Sequence, residues 1–417
     1  MKKFFLFFLT VSIFLSLCAC GAIPANDVAE ATATPAEETV TPAPDPEPTP
    51  EPTQSPYARE LTEELVLWDN VGEDTSELTD YDLFTGNNYT DGAVVTVQCD
   101  TPMYGVYIFW EQPPCNYYVN TGSTTQVGGL FGCLQEYFAF SVPMTEFNIE
   151  MTGFSMLRYI RVFGEGELPP DVHRWKAPLD KADVCVFSTH ADDDVIFFGS
   201  LIADCVDRGL AVQVCYMVKH YSEQPRPHEL LNALWEMGID HYPINGGFLD
   251  YYVTDLDEAY EKFEQENVVG YVVECLRRFK PSVAVGHDPE GEYGHGAHRV
   301  FSESLQIACG LSGDSQYYYR SANNYGTWEV PKVYLHSYGA DPLTIDVERP
   351  LETFGGRTAF DVANDAMLCH ESQLRYETRP TLEDNKHPRY DCRKFGLYRS
   401  LVGDDTGLND IMENIYQ

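Results

Sequence analysis

The sequence predicts two folded domains of different class: an all-β domain followed by an α/β domain with a mostly parallel sheet. From about residue 57 to 175, short aromatic and β-branched stretches are separated by Gly, Pro and Asn, which is typical of antiparallel strands. After residue 170, almost purely apolar strand stretches alternate with helical patterns, which indicates βαβ units and a parallel sheet. A chain of 417 residues is long enough for both domains.

Composition and charge exclude several classes of protein. Hydrophobic residues make up 44% and charged residues 22%, which excludes a wholly disordered, collagen-like or polytopic membrane protein. The 65 Asp and Glu residues outnumber the 27 Lys and Arg residues, and the formal net charge is −38. Because such an acidic field repels phosphate backbones and anionic lipids, we expect no nucleic-acid partner and no electrostatic membrane docking.

The N-terminus has the layout of an export signal. Two lysines precede an apolar run from Phe4 to Leu17 that is too short for an ordinary transmembrane helix. The segment Leu17-Cys18-Ala19-Cys20-Gly21 resembles a bacterial lipobox with Cys20 as the acceptor. The resemblance implies that residues 1–19 are removed and that lipid on Cys20 anchors an exported protein to the outer face of a bacterial membrane. Ordinary secretion with cleavage nearby is the alternative.

The next two segments form a stalk and the β domain. Residues 20–56 are rich in Pro, Glu and Thr and have too few large apolar groups for a core, so we expect a disordered linker. The strand spacing in residues 57–175 is typical of an antiparallel sandwich, and its layout resembles a galactose-binding-like jelly roll. The aromatic residues of this domain, candidates either for stacking on sugar rings or for the core, include Trp110, Tyr117 and Tyr118.

Ten cysteines follow the lipobox, and none forms a C-x-x-C pair, which argues against a cysteine zinc site. Several lie inside apolar strand or helix patterns, where a cysteine usually behaves as a small buried hydrophobic residue. Cys99, Cys115 and Cys133 lie in a region richer in loops, where one disulfide is an open alternative.

The first cluster of chemically active residues is His190-Ala191-Asp192-Asp193-Asp194, which follows the predicted strand Ala182–Phe187 and opens a helix. Ligands of open α/β sheets bind at this edge, beyond the carboxyl ends of the strands. His190 and Asp193 are three positions apart, so a tight turn can direct both at one metal ion. The alternative, an acidic helix N-terminus stabilised by the helix dipole, accounts for Asp194 but not for His190.

The second cluster runs from Gly286 to His298 and follows another predicted buried strand, so it reaches the same sheet edge. It contains His295 and His298 in an H-x-x-H pair, which alone is a weak signal and is compatible with a solvated loop. Two such loops that converge at one edge predict a metal site. Zn²⁺ and Fe²⁺ both accept two histidines and one carboxylate, so the sequence leaves the choice of ion open.

These two clusters resemble the paired motifs of the PIG-L/LmbE-like zinc deacetylases. Further matches are Arg226 and Glu229 before Gly238-Ile239, His370-Glu371-Ser372-Gln373, and Phe395-Gly396-Leu397-Tyr398-Arg399. The resemblance covers residues 178–417 and implies a Rossmann-like, mostly parallel sheet. It also implies a metal-dependent hydrolase that removes acetyl groups from N-acetylglucosamine-type sugars or glycans.

The resemblance also implies a role for each matching residue. The metal ion, usually zinc, would be held by His190, Asp193 and His298. The other implied roles are Asp192 as general base, His295 as general acid or electrostatic stabiliser, Tyr293 as a group that polarises the amide oxygen, and Arg226 as a substrate-binding residue.

The sequence departs from the family pattern in three places. Ala191 replaces the usual Pro, Asp194 replaces Glu, and Gly296-Ala297 replaces the Pro-Asp pair between the two histidines. The missing acid would orient His295, so we expect either a weaker acid role for His295 or compensation by Asp288.

Two other functions are compatible with the sequence. One is a metal-dependent amidase that acts on another small N-acyl metabolite, which the lipoprotein signal disfavours. The other is a non-catalytic carbohydrate-binding lipoprotein with a relic site, which the presence of all three ligand positions disfavours.

Overall fold

The β-rich stretches form one curled antiparallel sheet. The structure, a computed structural model, describes residues 55–376, 378–382 and 388–415, so the predicted signal, Cys20 and nearly all of the linker lie outside the described residues. The seven strands of this sheet are β1 (Val66–Asp69), β2 (Asn87–Tyr89), β3 (Val94–Trp110), β4 (Tyr117–Asn120), β5 (Thr125–Gly128), β6 (Gln135–Met151) and β7 (Ser155–Phe163).

The sheet has the order β2-β7-β3-β6-β4-β5, and β1 pairs with the first half of β3. The prediction of antiparallel β structure is confirmed. The sequence patterns predict separate strands over residues 94–97 and 103–110, where the structure has β3, and over residues 137–142 and 147–151, where it has β6. Each is instead continuous, and the pairing between them shifts register between Gln98 and Met103 and again before Gly105. Pro102 and Pro143 lie beside these shifts, where a missing N–H does not interrupt a regular ladder.

The second sheet is mostly parallel, as predicted, and has the order β10-β9-β8-β11-β12-β14-β13. The first five strands in this order run parallel, and the last two pair antiparallel. The topological switch point therefore lies between β8 and β11. The strands are β8 (Val184–Ser188), β9 (Val212–Val218), β10 (Ile244–Phe248), β11 (Val283–Gly286), β12 (Lys332–His336), β13 (Leu343–Thr344) and β14 (Lys394–Ser400).

Helices cover both faces of the parallel sheet. They are α1 (Asp193–Ile196), α2 (Gly199–Asp207), α3 (Arg226–Glu236), α4 (Leu256–Phe263), α5 (Gln265–Phe279), α6 (Gly296–Leu311), α7 (Tyr319–Tyr325) and α8 (Ala359–Leu368). The sequence pattern after the first cluster predicts one helix over residues 194–208. In the structure this stretch divides at Phe197-Phe198, whose buried rings pack against His287 and His336. Helices α4, α6, α7 and α8 were not predicted.

Strand β8 shows why its sequence is apolar throughout. Val184 and Val186 belong to the hydrophobic cluster beneath α2 and α3, whereas Cys185 and Phe187 belong to the cluster beneath α5 and α6. Successive side chains of a strand point to opposite faces, so a strand covered on both faces needs apolar residues at every position.

The curled sheet packs directly on α3. The His228 Nε2 atom lies 3.0 Å from the Trp110 carbonyl oxygen, and Gln135 Nε2 donates to the His228 carbonyl at 3.3 Å. Trp110 and Tyr117 are fully buried in the core, and Tyr118 is half-buried, so the first two do not offer faces to a sugar.

Two general features of the described residues bear on the earlier expectations. This part of the chain contains no helix that is both long and apolar enough to cross a membrane. Its ten cysteines are all free thiols, including Cys99, Cys115 and Cys133, and most are buried.

The two-sided burial of β8 gives a test of the fold. Replacing Phe187, which is fully buried and whose ring centroid lies 5.9 Å from that of Phe301, by Ala should lower the free energy of unfolding by about 3–5 kcal/mol. The matched control is Phe84→Ala, at a side chain that is 68% exposed, which should have little effect. Urea unfolding measures both, and equal shifts in the two variants would contradict this packing.

Candidate active site

The turn between β8 and α1 holds His190 and Asp193 together. The His190 backbone N–H donates to Asp193 Oδ2 at 2.8 Å, and His190 Nδ1 lies 2.9 Å from the same oxygen. Both residues are buried. Asp192, between them, has a φ of 140°, a strained conformation for a residue with a side chain. This strained turn lets Asp192 and Asp193, although adjacent, meet different partners.

His298 in the first turn of α6 completes a triangle of possible ligand atoms. Its Nε2 atom lies 3.2 Å from His190 Nδ1 and 3.1 Å from Asp193 Oδ2. In a tetrahedral zinc site with bonds of about 2.0–2.1 Å, neighbouring ligand atoms are about 3.3 Å apart. The three atoms therefore fit one divalent ion and leave coordination positions open for water or substrate. The structure brings the predicted ligand set together.

Two neighbouring histidines each accept a backbone hydrogen bond on one ring nitrogen. The ring nitrogens of His287 and His295 come within 4.8 Å of atoms in this triangle. However, His287 Nε2 accepts a hydrogen bond from the Thr189 backbone N–H at 3.0 Å. His295 Nδ1 accepts one from the Ala297 backbone N–H at 3.2 Å. His190, Asp193 and His298 together place three ligand atoms 2.9–3.2 Å from one another.

The electrostatics of the triangle favour a positive charge at its centre. Burial lowers the pKa of His190, but Asp193 outweighs it and raises that pKa to about 9. Burial opposes charge on His298 in the same way, yet Asp193 and Glu292 raise its pKa to about 10. The two imidazoles in turn hold the pKa of Asp193 well below its usual range despite its burial. A divalent cation satisfies the same demand for positive charge.

A buried glutamate orients the histidines from behind. The side chain of Glu292 is fully buried, its Oε2 lies 2.7 Å from His298 Nδ1, and its Oε1 lies 2.9 Å from His287 Nδ1. The same Oε1 lies 3.2 Å from His336 Nδ1. A carboxylate behind a ligand histidine fixes its tautomer and ring orientation and makes it a stronger ligand.

Asp250, in the loop after β10, supports the other histidine. Its Oδ1 atom lies 3.3 Å from His190 Nε2. Sequence reasoning missed both Asp250 and Glu292. Glu292 lies inside the Gly-rich second cluster, directly before the candidate residue Tyr293, and this position could have marked it as a site residue. Asp250 follows an edge strand and belongs to no recognised motif, so the sequence around it offered no signal of a functional role.

Asp192 lies beside the triangle and contacts Arg226. The Arg226 guanidinium is 3.5 Å from Asp192 Oδ1 and donates to the Ala191 carbonyl at 3.0 Å. Burial and the neighbouring Asp193 raise the pKa of Asp192 to about 7, although Arg226 opposes this. A carboxylate with a pKa near neutrality suits proton transfer. Arg226 thus holds the predicted base, whereas contact with a substrate stays a prediction.

His295 is held differently from the expectation. Asp288 does not compensate for the missing acid, because its buried carboxylate pairs with Arg389, whose Nη1 lies 2.6 Å from Asp288 Oδ1. The backbone N–H of Ala297 at the start of α6 fixes the His295 ring instead. Burial, with His298 and His190 nearby, lowers the pKa of His295 to about 3. His295 is therefore neutral and carries its proton on Nε2.

Tyr293 borders this group at the surface. It is 42% exposed, and its ring centroid lies 5.6 Å from that of His295 and 5.5 Å from that of His298. Burial of its inner part and the nearby Asp193 raise the pKa of its hydroxyl, so it stays protonated and can donate.

Two of the remaining matches to the family pattern, Glu229 and Ser372, contact each other. Glu229 of α3 accepts hydrogen bonds from the Ser372 backbone N–H at 2.7 Å and from the Ser372 hydroxyl at 2.6 Å. This contact ties the segment after α8 to the helix that begins with Arg226.

Several known proteins with deacetylase names are similar to this chain. Residues 185–309 match the family model described as PIG-L, GlcNAc-PI de-N-acetylase. The chain is 32% identical over 211 residues to a 1D-myo-inositol 2-acetamido-2-deoxy-alpha-D-glucopyranoside deacetylase 2 of Saccharopolyspora erythraea, covering 44% of this chain and 74% of that protein. The chain belongs to the PIG-L family.

Two further similar proteins are also deacetylases by name. A deacetylase from Mycolicibacterium vanbaalenii, with the same substrate in its name, is 26% identical over 240 residues, covering 46% of this chain and 78% of that protein. The solved structure of an N,N'-diacetylchitobiose deacetylase from Pyrococcus horikoshii has 19% identity and a TM-score of 0.36, covering 47% of this chain and 72% of that one.

The Glu292 network gives a test of the PIG-L site. Glu292→Gln removes the charge that strengthens His298 as a ligand, so we expect zinc affinity to fall about 10–100-fold. Competition with a chromophoric chelator measures this. The matched control is Glu290→Gln, at an exposed position of the same loop, which should bind zinc like the wild type. Wild-type affinity in Glu292→Gln would show that the carboxylate does not support the ligand.

Proposed function

We propose that this protein is a metal-dependent N-deacetylase that acts on N-acetylglucosamine-type sugars or glycans. Membership of the PIG-L family supports the reaction class, since the relatives above carry deacetylase names. The observation that carries the proposal is the triangle of His190, Asp193 and His298, with Asp192 beside it.

The donor set fits zinc, and Fe²⁺ is the second candidate because it accepts the same two nitrogens and one carboxylate oxygen. His190, Asp193 and His298 would hold the ion. When bound, such an ion polarises the amide carbonyl and lowers the pKa of water toward neutrality.

Asp192 supplies the base. Its pKa near 7 leaves a large deprotonated fraction at neutral pH, so it can take a proton from the attacking water. Arg226 holds this carboxylate in place through its contacts with Asp192 and Ala191. After it accepts the proton, Asp192 can donate it to the departing amine.

His295 and Tyr293 act as hydrogen-bond donors. Burial lowers the pKa of His295 and raises the pKa of Tyr293. Both side chains are therefore neutral at neutral pH, and His295 Nε2–H and the Tyr293 hydroxyl can each donate a hydrogen bond. Fixed donors that meet the oxygen on which negative charge develops stabilise the transition state. Of the two roles expected for His295, its low pKa favours the stabiliser over the acid.

The cellular setting is also part of the proposal. Residues 1–19 would serve as an export signal, and lipid on Cys20 would anchor the protein to the outer face of a bacterial membrane. The linker would then hold a galactose-binding-like β domain and the PIG-L domain at surface glycans. The sequence of the lipobox supports this, and the acidic charge suits a neutral substrate whose product is a cationic amine.

Acetate release tests the reaction. Zinc-loaded protein should release acetate, with an equal amount of free amine, from N-acetylglucosamine, its β-1,4-linked oligomers or peptidoglycan fragments. Protein stripped of metal should release none until the ion is restored. Metal-loaded wild-type protein that is inactive on the whole panel would contradict the proposal.

Two isosteric variants separate the roles of the neighbouring acids. Asp192→Asn cannot accept a proton but leaves the ligand triangle intact, so kcat should fall about 10²–10⁴-fold with near-stoichiometric metal. Asp193→Asn should weaken metal binding, because a neutral amide is a poorer ligand for a divalent cation. Metal content and rate are compared at saturating zinc. Loss of metal from Asp192→Asn together with retention by Asp193→Asn would reverse the two roles.

The anchor has a test of its own. In the full chain expressed in a bacterium that acylates lipoproteins, Cys20→Ala should move the protein from the membrane to the soluble fraction. Cys18→Ala is the matched control and should leave the protein in the membrane fraction. A Cys20→Ala protein that still partitions with lipid would contradict the lipobox assignment.

A further inference from the structure

The loop between β10 and α4 brings an exposed tyrosine to the catalytic residues. The Tyr252 ring centroid lies 5.2 Å from that of His295, and the His295 centroid lies 4.8 Å from that of His190. Yet Tyr252 is 77% exposed, so it is among the most exposed large hydrophobic side chains of the described residues. A ring this exposed contributes little to the stability of the fold, because little of its apolar surface leaves water.

The loop that carries Tyr252 is fixed on both sides of it. On one side, Asp250 Oδ1 lies 3.3 Å from His190 Nε2. On the other, Val253 is buried, and its carbonyl accepts a hydrogen bond from the Gly296 N–H at 2.7 Å. This approach requires a glycine, since a Cβ at position 296 would come within 2.8 Å of Val253 Cγ2. The ring is therefore held beside the site before any ligand binds, which lowers the entropic cost of using it.

The neighbouring side chains leave the outer face of this ring to solvent. Tyr251 packs inward against Phe263, with ring centroids 5.6 Å apart, and anchors the loop to the hydrophobic core. Tyr293, itself 42% exposed, also contacts His295, so two tyrosines border the entrance to the ligand triangle. Tyrosine offers a large, rigid surface with only two rotatable angles, which suits recognition of a flat apolar face.

We propose that Tyr252 is a substrate-positioning residue whose ring stacks on the apolar C–H face of a pyranose ring in the N-acetylated saccharide. This inference rests on the proposed deacetylase function and assigns to Tyr252 the binding of its sugar ring. The short path from Tyr252 through His295 to His190 places the stacked ring beside the acetamide that is cleaved.

The test compares KM and kcat for zinc-loaded protein on N-acetylglucosamine and its β-1,4-linked dimer to tetramer. Tyr252→Ala should raise KM about tenfold with little change in kcat and in metal content, because stacking acts on binding. Tyr252→Phe, which keeps the ring, should restore most of the affinity. The matched control is Tyr319→Ala on α7, at a tyrosine that is 61% exposed and should leave both constants unchanged.

The outcomes separate this inference from the function on which it rests. If the wild type is active and Tyr252→Ala keeps its KM, the stacking role is wrong and the deacetylase proposal stands. If kcat falls while KM is unchanged, Tyr252 acts only by holding the loop that orients His190, which also overturns the inference. If the wild type releases no acetate from any saccharide, the proposed function fails and this inference fails with it.

Discussion

The site depends on the contacts between the buried carboxylate of Glu292 and the histidines around it. A carboxylate taken fully out of water is costly unless other groups satisfy both oxygens. Here three imidazoles and the Asp288 backbone N–H surround it. Burial alone would raise its pKa, but His287 and His298 hold that pKa well below its usual range. The carboxylate also fixes the orientation of the His298 ring, and this orientation places His298 Nε2 in the triangle with His190 and Asp193.

The parallel sheet makes this convergence possible. The loops after β8 and β11 leave the sheet side by side, because these strands are neighbours at the topological switch point. One loop supplies His190 and Asp193, the other supplies Glu292 and His298. The β domain then packs on α3, the helix whose first residue, Arg226, holds Asp192. The sheet thus determines where the ligands meet, and the helix against the β domain positions the predicted base.

Sequence patterns predict those parts of the fold and site that are local. Strand β8 is predictable because burial on both faces makes it apolar throughout. The convergence of His190, Asp193 and His298 is predictable because these residues are concentrated in two short loops. The break between α1 and α2 cannot be predicted from the local sequence, because it depends on the tertiary packing of Phe197 on His336 and of Phe198 on His287. The role expected of Asp288 was wrong because Arg389, 101 positions away, takes its carboxylate.

Zinc K-edge X-ray absorption of the zinc-loaded protein tests the central claim most directly, since it reports the ligand atoms rather than an activity. We expect a first shell of nitrogen and oxygen at about 2.0–2.2 Å, with outer scattering from two imidazole rings. His298→Ala should remove one imidazole from this spectrum. A shell that contains sulfur at about 2.3 Å, or a spectrum unchanged by His298→Ala, would show that the metal binds somewhere other than His190, Asp193 and His298.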